Sequence, residues 1–225
     1  MNIKHKLIFF LASIRSYREL LIKKGFRVHT YLICFSEKRS EDFKINLTRL
    51  TEMSASIKEF RQGSNFPIID KDDLVIDAIF GIGLKRTPNG FTKDFIQYLN
   101  ASIATVISID MPSGLFADKS SKNNTSVILR ADYTLSFQTP KLLFFLPETA
   151  KYTVQWEVLD IGIDPEYLLN TETEYELIGK HEMLPVYKPR EKFSNKGVYG
   201  HSLIIGGSYG KIGAVTLASR AALSS

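Results

Sequence analysis

The sequence predicts an α/β protein built on a mostly parallel β-sheet. Short apolar runs typical of strands alternate along the chain with helical stretches of about a dozen residues. Polar residues gather where the apolar runs end, as they do in βαβ units, whose ligands bind beyond the carboxyl ends of the strands. The 225 residues, 44% of them hydrophobic, are enough for one sizeable domain or for one domain and part of another. Disorder as the main state is therefore excluded.

The first elements follow from the apolar pattern and from capping residues. A buried strand is predicted over 7–12, because this apolar run is far shorter than the roughly 20 residues that span a bilayer. Ser13 can cap the helix that follows, and Gly25 can end it. A second strand over 26–33 and a loop leading into a helix over 43–53 come next. No membrane partner is expected.

The remaining elements repeat the same alternation. Strands are predicted at 72–80, 105–110, 131–137 and 153–160, and helices at 92–99 and 212–223. Residues 200–208 are predicted to form a further strand and a glycine turn. Residues 165–195 are rich in Glu, Tyr, Pro and Lys and are predicted to be a linker with one short helix. Since one strand and one helix cannot bury a core, 196–225 is expected to be either an appendage or the start of a second domain.

The charge distribution and the cysteine count indicate which partners and which cellular location to expect. The formal charge is +5, but the first 40 residues carry a balance of +7, which leaves −2 for the rest of the chain. A polyanion-binding surface spread over the fold is therefore not indicated, and no nucleic-acid partner is expected. The single cysteine, Cys34, excludes a disulfide-stapled secreted domain and a cysteine-based zinc site. A cytoplasmic location is the natural expectation.

Three clusters lie where strands are predicted to end. Asp77 precedes a glycine loop, 81–87, whose backbone N–H groups and cations could hold a phosphate, although an ordinary βα turn explains the same glycines. Asp110 could act as a general acid or base and Ser113 could supply an oxygen ligand, but an Asx-type turn is an equal alternative. The third cluster, 206–214, is glycine-rich and could bind an anion or form a plain tight turn.

Several of these segments together resemble the YjeF N-terminal family, the NAD(P)H-hydrate epimerases. The matching segments are 75–83, 109–115, 131–132, 140–141 and 159–163. The resemblance implies a Rossmann-like three-layer α/β/α sandwich. Residues 200–223 resemble the first βα unit of the ADP-dependent NAD(P)H-hydrate dehydratase domain, which has a ribokinase-like fold and follows the epimerase in bifunctional repair enzymes.

The resemblance implies a domain division and a set of partners. It implies an N-terminally incomplete epimerase domain over 1–164, a linker over 165–195 and a truncated ribokinase-like βα unit over 196–225. The expected small-molecule partner is NAD(P)H-hydrate, and the expected cofactor is a potassium ion. A homo-oligomer is compatible with the resemblance. ADP or ATP would serve only a complete dehydratase domain, so dehydratase activity is not expected.

The resemblance also implies roles for individual residues. Asp77 and Ser113 would be potassium ligands, and Asp110 would be the catalytic acid or base. The hydrated nucleotide would contact Asp110 and the loop residues Gly81, Ile82, Gly83, Leu84, Lys85, Arg86 and Thr87. Epimerisation of the R and S hydrates would then be the activity.

One departure from the family is large. Its members carry Asn-Asn-Gly-Gly-Asp-Gly between the first strand and helix, whereas 12–17 here is Ala-Ser-Ile-Arg-Ser-Tyr and no glycine precedes Gly25. A junction without glycine is poorly suited to holding a pyrophosphate closely. Impaired activity is therefore expected, from a fragment or a disrupted reading frame. A catalytically silent binding module and a nonfunctional truncated product are the alternatives.

Overall fold

The computed structural model describes residues 6–11, 24–34, 41, 44–45, 47–48, 57–117, 121–189, 191–195 and 197–224. It divides the chain into two compact units, Met1–Thr171 and Glu172–Ser225. The helix predicted to follow the first strand and the glycine-free junction 12–17 lie outside the described residues. Of the helix predicted over 43–53, the described residues are helical. The predicted domain boundaries stay predictions.

A seven-stranded parallel sheet forms the first unit. Its strands are β1 (Lys6–Leu11), β2 (Arg27–Ile33), β3 (Ile57–Phe60), β4 (Leu74–Ala78), β5 (Thr105–Ile109), β6 (Ala131–Phe137) and β7 (Thr153–Leu159). The order is β3-β2-β1-β4-β5-β6-β7, and every neighbouring pair is parallel. The predicted α/β class is confirmed. Within the described ranges, the one strand that the sequence did not predict is β3, whose four residues include Lys58 and Glu59 and form no apolar run.

The strand order places a topological switch point between β1 and β4. From β1 the chain builds outward through β2 to β3, then returns to β4 on the other side of β1 and builds the opposite way. Crevices beyond the carboxyl ends of the strands at such a point are where open parallel sheets bind ligands. Strand β4 ends here with Asp77 as its penultimate residue.

One helix packs over the sheet beside this point and fixes the segment that joins it to β4. Helix α1 (Gly90–Ala101) buries Phe95, Ile96 and Leu99 almost completely against Val75 and Val106 of the sheet. Burial of a side chain of this size contributes about 2 kcal/mol to folding. The buried face of α1 therefore anchors the loop that leads from β4 into the helix.

Outside the sheet, the C-terminal segment differs from prediction at one element. Helix α2 (Pro165–Asn170) ends the first unit, and α3 (Lys180–Met183) and α4 (Gly213–Ser224) lie in the second. The strand predicted over 200–208 is wrong: these residues, all described, form no strand, and the side chains of Leu203 and Ile205 are 85% and 86% exposed. A strand needs a neighbour to bond, and the described part of this unit offers only an isolated bridge between Ser208 and Lys211.

Among the described residues, no helix combines the length and the hydropathy required to cross a membrane.

Candidate active site

Asp77 and Asp110 lie at the carboxyl ends of neighbouring strands, as the sequence predicts. Asp77 of β4 pairs in register with Ser108 of β5. Asp110 directly follows β5. Because β4 and β5 are parallel, both carboxylates lie at their carboxyl ends, next to the switch point.

Asp77 is the centre of a buried hydrogen-bond network. Its side chain is fully buried. Ser113 donates its hydroxyl to Oδ1 at 2.6 Å and its backbone N–H to Oδ2 at 2.8 Å. Ser108 donates its hydroxyl to Oδ2 at 2.8 Å, and the N–H of Ile79 donates to Oδ1 at 3.3 Å. The structure thus brings together Asp77 and Ser113, the two residues proposed as cation ligands.

The electrostatic state of Asp77 follows from this burial. Loss of hydration raises the pKa of Asp77 above its ordinary value of 3.8, while the hydrogen bonds from Ser113, Ser108 and Ile79 oppose that rise. No described cationic side chain forms an ion pair with it. A buried carboxylate without a counter-charge is costly, so the burial of Asp77 favours either a proton or a bound cation.

The donor set at Asp77 fits a hard monovalent cation. The Asp77 carboxylate and the Ser113 hydroxyl are oxygen donors, the ligand type that hard cations prefer. Among the described residues, no cationic side chain balances a negative charge on Asp77, and a single bound positive charge would do so. Among the described residues, no group of three or more His, Cys, Asp or Glu side chains could hold a metal ion, so Asp77 and Ser113 would be the side-chain ligands of this site.

Asp110 is held in an uncommon backbone conformation. Its φ is +69°, in the left-handed region, and its N–H donates to the carbonyl of Leu135 on the neighbouring strand at 2.7 Å. Oδ2 accepts a hydrogen bond from the N–H of Ile82 at 3.1 Å, and Oδ1 lies 3.5 Å from Nζ of Lys141. Strain of this kind concentrates at functional sites, so the geometry supports a functional role for Asp110.

The glycine loop predicted to bind substrate lies against Asp110. Gly81–Gly83 form a single turn of 3₁₀ helix that presents the N–H of Ile82 to the carboxylate. At Gly81, φ is +56° and an added Cβ would lie 3.1 Å from Oδ2 of Asp110. A side chain here would press on the carboxylate. Farther along, Lys85, Arg86 and Thr87 are exposed to solvent.

Gly114 fixes the turn that carries Asp110 and Ser113. Its φ is +102°, and an added Cβ would lie 2.1 Å from the carbonyl oxygen of Val127. The carbonyl of Ser113 accepts the N–H of Leu129 at 2.8 Å. The turn is thus clamped against the segment that precedes β6.

Sequence reasoning missed two residues of this site. Ser108 is a polar residue within the apolar strand β5, and this break in the apolar run is the sequence signal that could have found it. The structure places it in register with Asp77. Lys141 stands in a segment that carries the family resemblance, but nothing in the sequence indicates its approach to Asp110. The third glycine cluster, 206–214, belongs to the second unit and is exposed.

A family profile decides the classification. The profile described as YjeF-related protein N-terminus matches residues 18–143, more than half of the chain. The chain belongs to the YjeF-related N-terminal family. The bifunctional NAD(P)H-hydrate repair enzyme Nnr of Moorella thermoacetica is 31% identical over 207 residues, which are 90% of this chain and 39% of that enzyme. The NAD(P)H-hydrate epimerase of Anaerococcus prevotii is 32% identical over 147 residues, 64% of this chain and 66% of the relative.

A solved structure agrees with this chain in fold. The crystal structure of the yeast protein ynu0, YNL200c, superposes with a TM-score of 0.55 at 19% identity and covers 77% of this chain and 75% of its own. At this identity the likeness concerns the fold. The chain spans 39% of the length of its Moorella relative and 30% of the Escherichia coli bifunctional enzyme of the same name.

Proposed function

We propose that the first unit is an NAD(P)H-hydrate epimerase domain that interconverts the R and S hydrates. Family membership and the name of the Anaerococcus relative support the substrate class. The observation that carries the proposal is the Asp110 carboxylate, held in a left-handed turn and bonded to the N–H of Ile82 in the glycine loop. An ionisable group and a ligand-binding loop thus meet at one point.

Epimerisation of the hydrate requires the transfer of one proton. Water adds across the enamine bond of a reduced nicotinamide with its hydroxyl on the carbon next to the ring nitrogen. Inverting that carbon requires one of its bonds to oxygen or nitrogen to break and re-form on the other face. Either route moves a proton on or off the hydroxyl, and Asp110 is the group that would carry it as general acid and base.

The loop would hold the remainder of the nucleotide. The backbone N–H groups of the glycine turn suit a pyrophosphate, and the exposed Lys85 and Arg86 supply positive charge. Holding the pyrophosphate fixes the nicotinamide carbon relative to Asp110, which lowers the entropic part of the barrier. Substrate contacts over Gly81–Thr87 are part of this proposal.

A potassium ion would be held by Asp77 and Ser113. When bound, it would supply a positive charge that keeps the buried carboxylate ionised and its network intact. Ser113 and Asp110 lie in the same turn, so the cation would stabilise the position of Asp110 indirectly. Ser113 would keep its backbone N–H on Asp77 throughout.

The glycine-free junction over 12–17 favours weak activity and keeps a second candidate open. A domain that retains Asp77, Asp110 and the 81–87 loop but lacks the family's Asn-Asn-Gly-Gly-Asp-Gly segment could be a catalytically silent binding module. We also propose a cytoplasmic location, a homo-oligomer, and that residues 196–225 are the start of an ADP-dependent dehydratase domain.

The test is conversion of purified R-hydrate to the S form by the full chain, above the spontaneous rate and with or without potassium. Asp110→Asn is the decisive variant, because Asn tolerates the left-handed φ but cannot carry the proton. We expect it to lower kcat by about 100-fold or more. Asp94→Asn, at an exposed position on α1, is the matched control and should leave the rate unchanged. If the wild type converts the hydrate no faster than the spontaneous reaction, the proposed epimerase function is refuted and the binding module is favoured.

A further inference from the structure

The turn that follows β6 presents one lysine to Asp110. Nζ of Lys141 donates to the carbonyl of Phe137 at 3.0 Å and to the carbonyl of Thr139 at 3.2 Å. It also lies 3.5 Å from Oδ1 of Asp110. Two of the three ammonium hydrogens are directed to these carbonyl acceptors, and the contact with Asp110 is an ion pair. The Lys141 side chain is 20% exposed and that of Asp110 is 12% exposed, so solvent competes little with the pair.

The turn itself is anchored on the neighbouring strand. Gln138 has φ +60°, and its N–H donates to the carbonyl of Leu159 at 2.7 Å. Its side-chain Oε1 accepts the N–H of Ile161 at 3.0 Å and that of Ile163 at 3.4 Å. The two carbonyls that hold Lys141 flank this residue. The ammonium is therefore fixed by the sheet and by the segment after β7.

We propose that Lys141 is a positioning residue for the proposed epimerisation, and that its ammonium fixes the orientation of the Asp110 carboxylate. The proposal rests on the proposed function for its kinetic consequence. Oδ2 of Asp110 is held by the N–H of Ile82 and Oδ1 by Lys141, so the carboxylate is restrained at both oxygens. Without Lys141, the contact with Ile82 is the one side-chain restraint of Asp110 that remains among the described residues, and the carboxylate can rotate about its Cβ–Cγ bond. A displacement of about 1 Å at a reacting group costs on the order of 100-fold in rate.

The kinetic test compares Lys141→Met and Lys141→Arg in the full chain. Lys141→Met should lower kcat for hydrate epimerisation by about 10- to 100-fold with KM within about twofold, because the substrate contacts remain. Lys141→Arg retains a cation and should recover part of kcat. Lys71→Met, at an exposed position before β4, is the matched control and should match the wild type. An unchanged kcat, or a raised KM at constant kcat, would overturn the proposal.

A second measurement does not depend on activity or on the stability of Lys141→Met. Proton–nitrogen NMR of the ¹⁵N-labelled full chain detects lysine ammonium groups whose hydrogens exchange slowly because they are held by acceptors. We expect a Lys141 signal, assigned by its loss in Lys141→Arg, that shifts in Asp110→Asn and not in Asp94→Asn. If the Lys141 signal is missing, or if its chemical shift is unchanged in Asp110→Asn, the proposed role of Lys141 is overturned. If the wild type is inactive but its Lys141 signal still shifts in Asp110→Asn, the proposed epimerase function is refuted and the contact between Lys141 and Asp110 is not.

Discussion

Ser113 holds both oxygens of Asp77 although the two residues are 36 positions apart in the chain. Its hydroxyl donates to Oδ1 at 2.6 Å and its N–H donates to Oδ2 at 2.8 Å. Asp110 begins the same turn that Ser113 ties to Asp77. The buried carboxylate at the end of β4 therefore fixes the position of the carboxylate at the end of β5, and the proposed cation site and the proposed acid or base form one unit.

The first prediction concerns the pH dependence of stability. Because burial raises the pKa of Asp77 above 3.8, the folded chain binds a proton there more tightly than the unfolded chain does. The stability that this group contributes is present below its unfolded pKa and is lost as the pH rises through the raised folded pKa. The free energy of unfolding of the wild type should therefore fall relative to Asp77→Asn as the pH increases from about 4.

Urea unfolding of both proteins between pH 4 and 8, in choline chloride to exclude small cations, measures this difference. Asp94→Asn changes an exposed carboxylate on α1, so its free energy of unfolding should change with pH in the same way as that of the wild type. A difference between wild type and Asp77→Asn that is constant, or that grows in the opposite direction, contradicts the expectation.

The second prediction concerns potassium. At pH 8, replacing choline chloride with potassium chloride should stabilise the wild type, because a bound cation compensates the ionised Asp77. A tenfold excess over the dissociation constant corresponds to about 1.4 kcal/mol. The gain should vanish in Asp77→Asn and fall in Ser113→Ala, which removes one donor oxygen. Equal unfolding midpoints in the two salts would count against the cation site.

The sequence predicts the part of this site that depends on strand ends. Asp77 and Asp110 each follow an apolar run, and two adjacent parallel strands bring such residues together by geometry alone. The contacts between Asp77 and Ser113 and between Asp110 and Ile82 depend on turn conformation. A left-handed φ at Asp110 or Gln138 is not indicated by sequence, since neither position is a glycine.

The wrong strand over 200–208 has a related cause. Its apolar run, Leu-Ile-Ile, has residues that favour β-strands. This propensity depends on the local sequence alone, whereas a strand also needs a neighbouring strand with which to form hydrogen bonds. The described part of the second unit provides no sheet for it. The helix after it, α4, was predicted to within a residue at each end because its hydrogen bonds are internal.

The third prediction separates steric clash from backbone strain. Gly114→Ala would place a Cβ 2.1 Å from the carbonyl oxygen of Val127 and 2.8 Å from the Cα of Ile128, both backbone atoms that cannot move alone. Together with φ +102°, this should lower the free energy of unfolding by about 3 kcal/mol or more. Gly63→Ala is the matched control, since its φ is +87° and nothing lies within 4 Å of an added Cβ.

For the control, a loss of about 1 kcal/mol is expected from backbone strain alone. Thermal or urea unfolding of the two variants gives the comparison. Equal losses would mean that the packing of Gly114 against the segment before β6 does not constrain the turn that carries Asp110.

The last prediction concerns a buried hydroxyl in the same row of the sheet. Thr134 lies in register between Ser108 and Trp156 and is fully buried, and its Oγ1 has no hydrogen-bond partner among the described residues. Thr134→Val keeps the branched shape and removes the unsatisfied hydroxyl, so it should stabilise the fold by about 1 kcal/mol. Thr149→Val is the control, because the Thr149 hydroxyl donates to the carbonyl of Leu143 at 2.5 Å and its loss should destabilise by a similar amount. Opposite signs in urea unfolding are expected; a destabilised Thr134→Val would mean that this hydroxyl bonds a buried water, which the substitution expels.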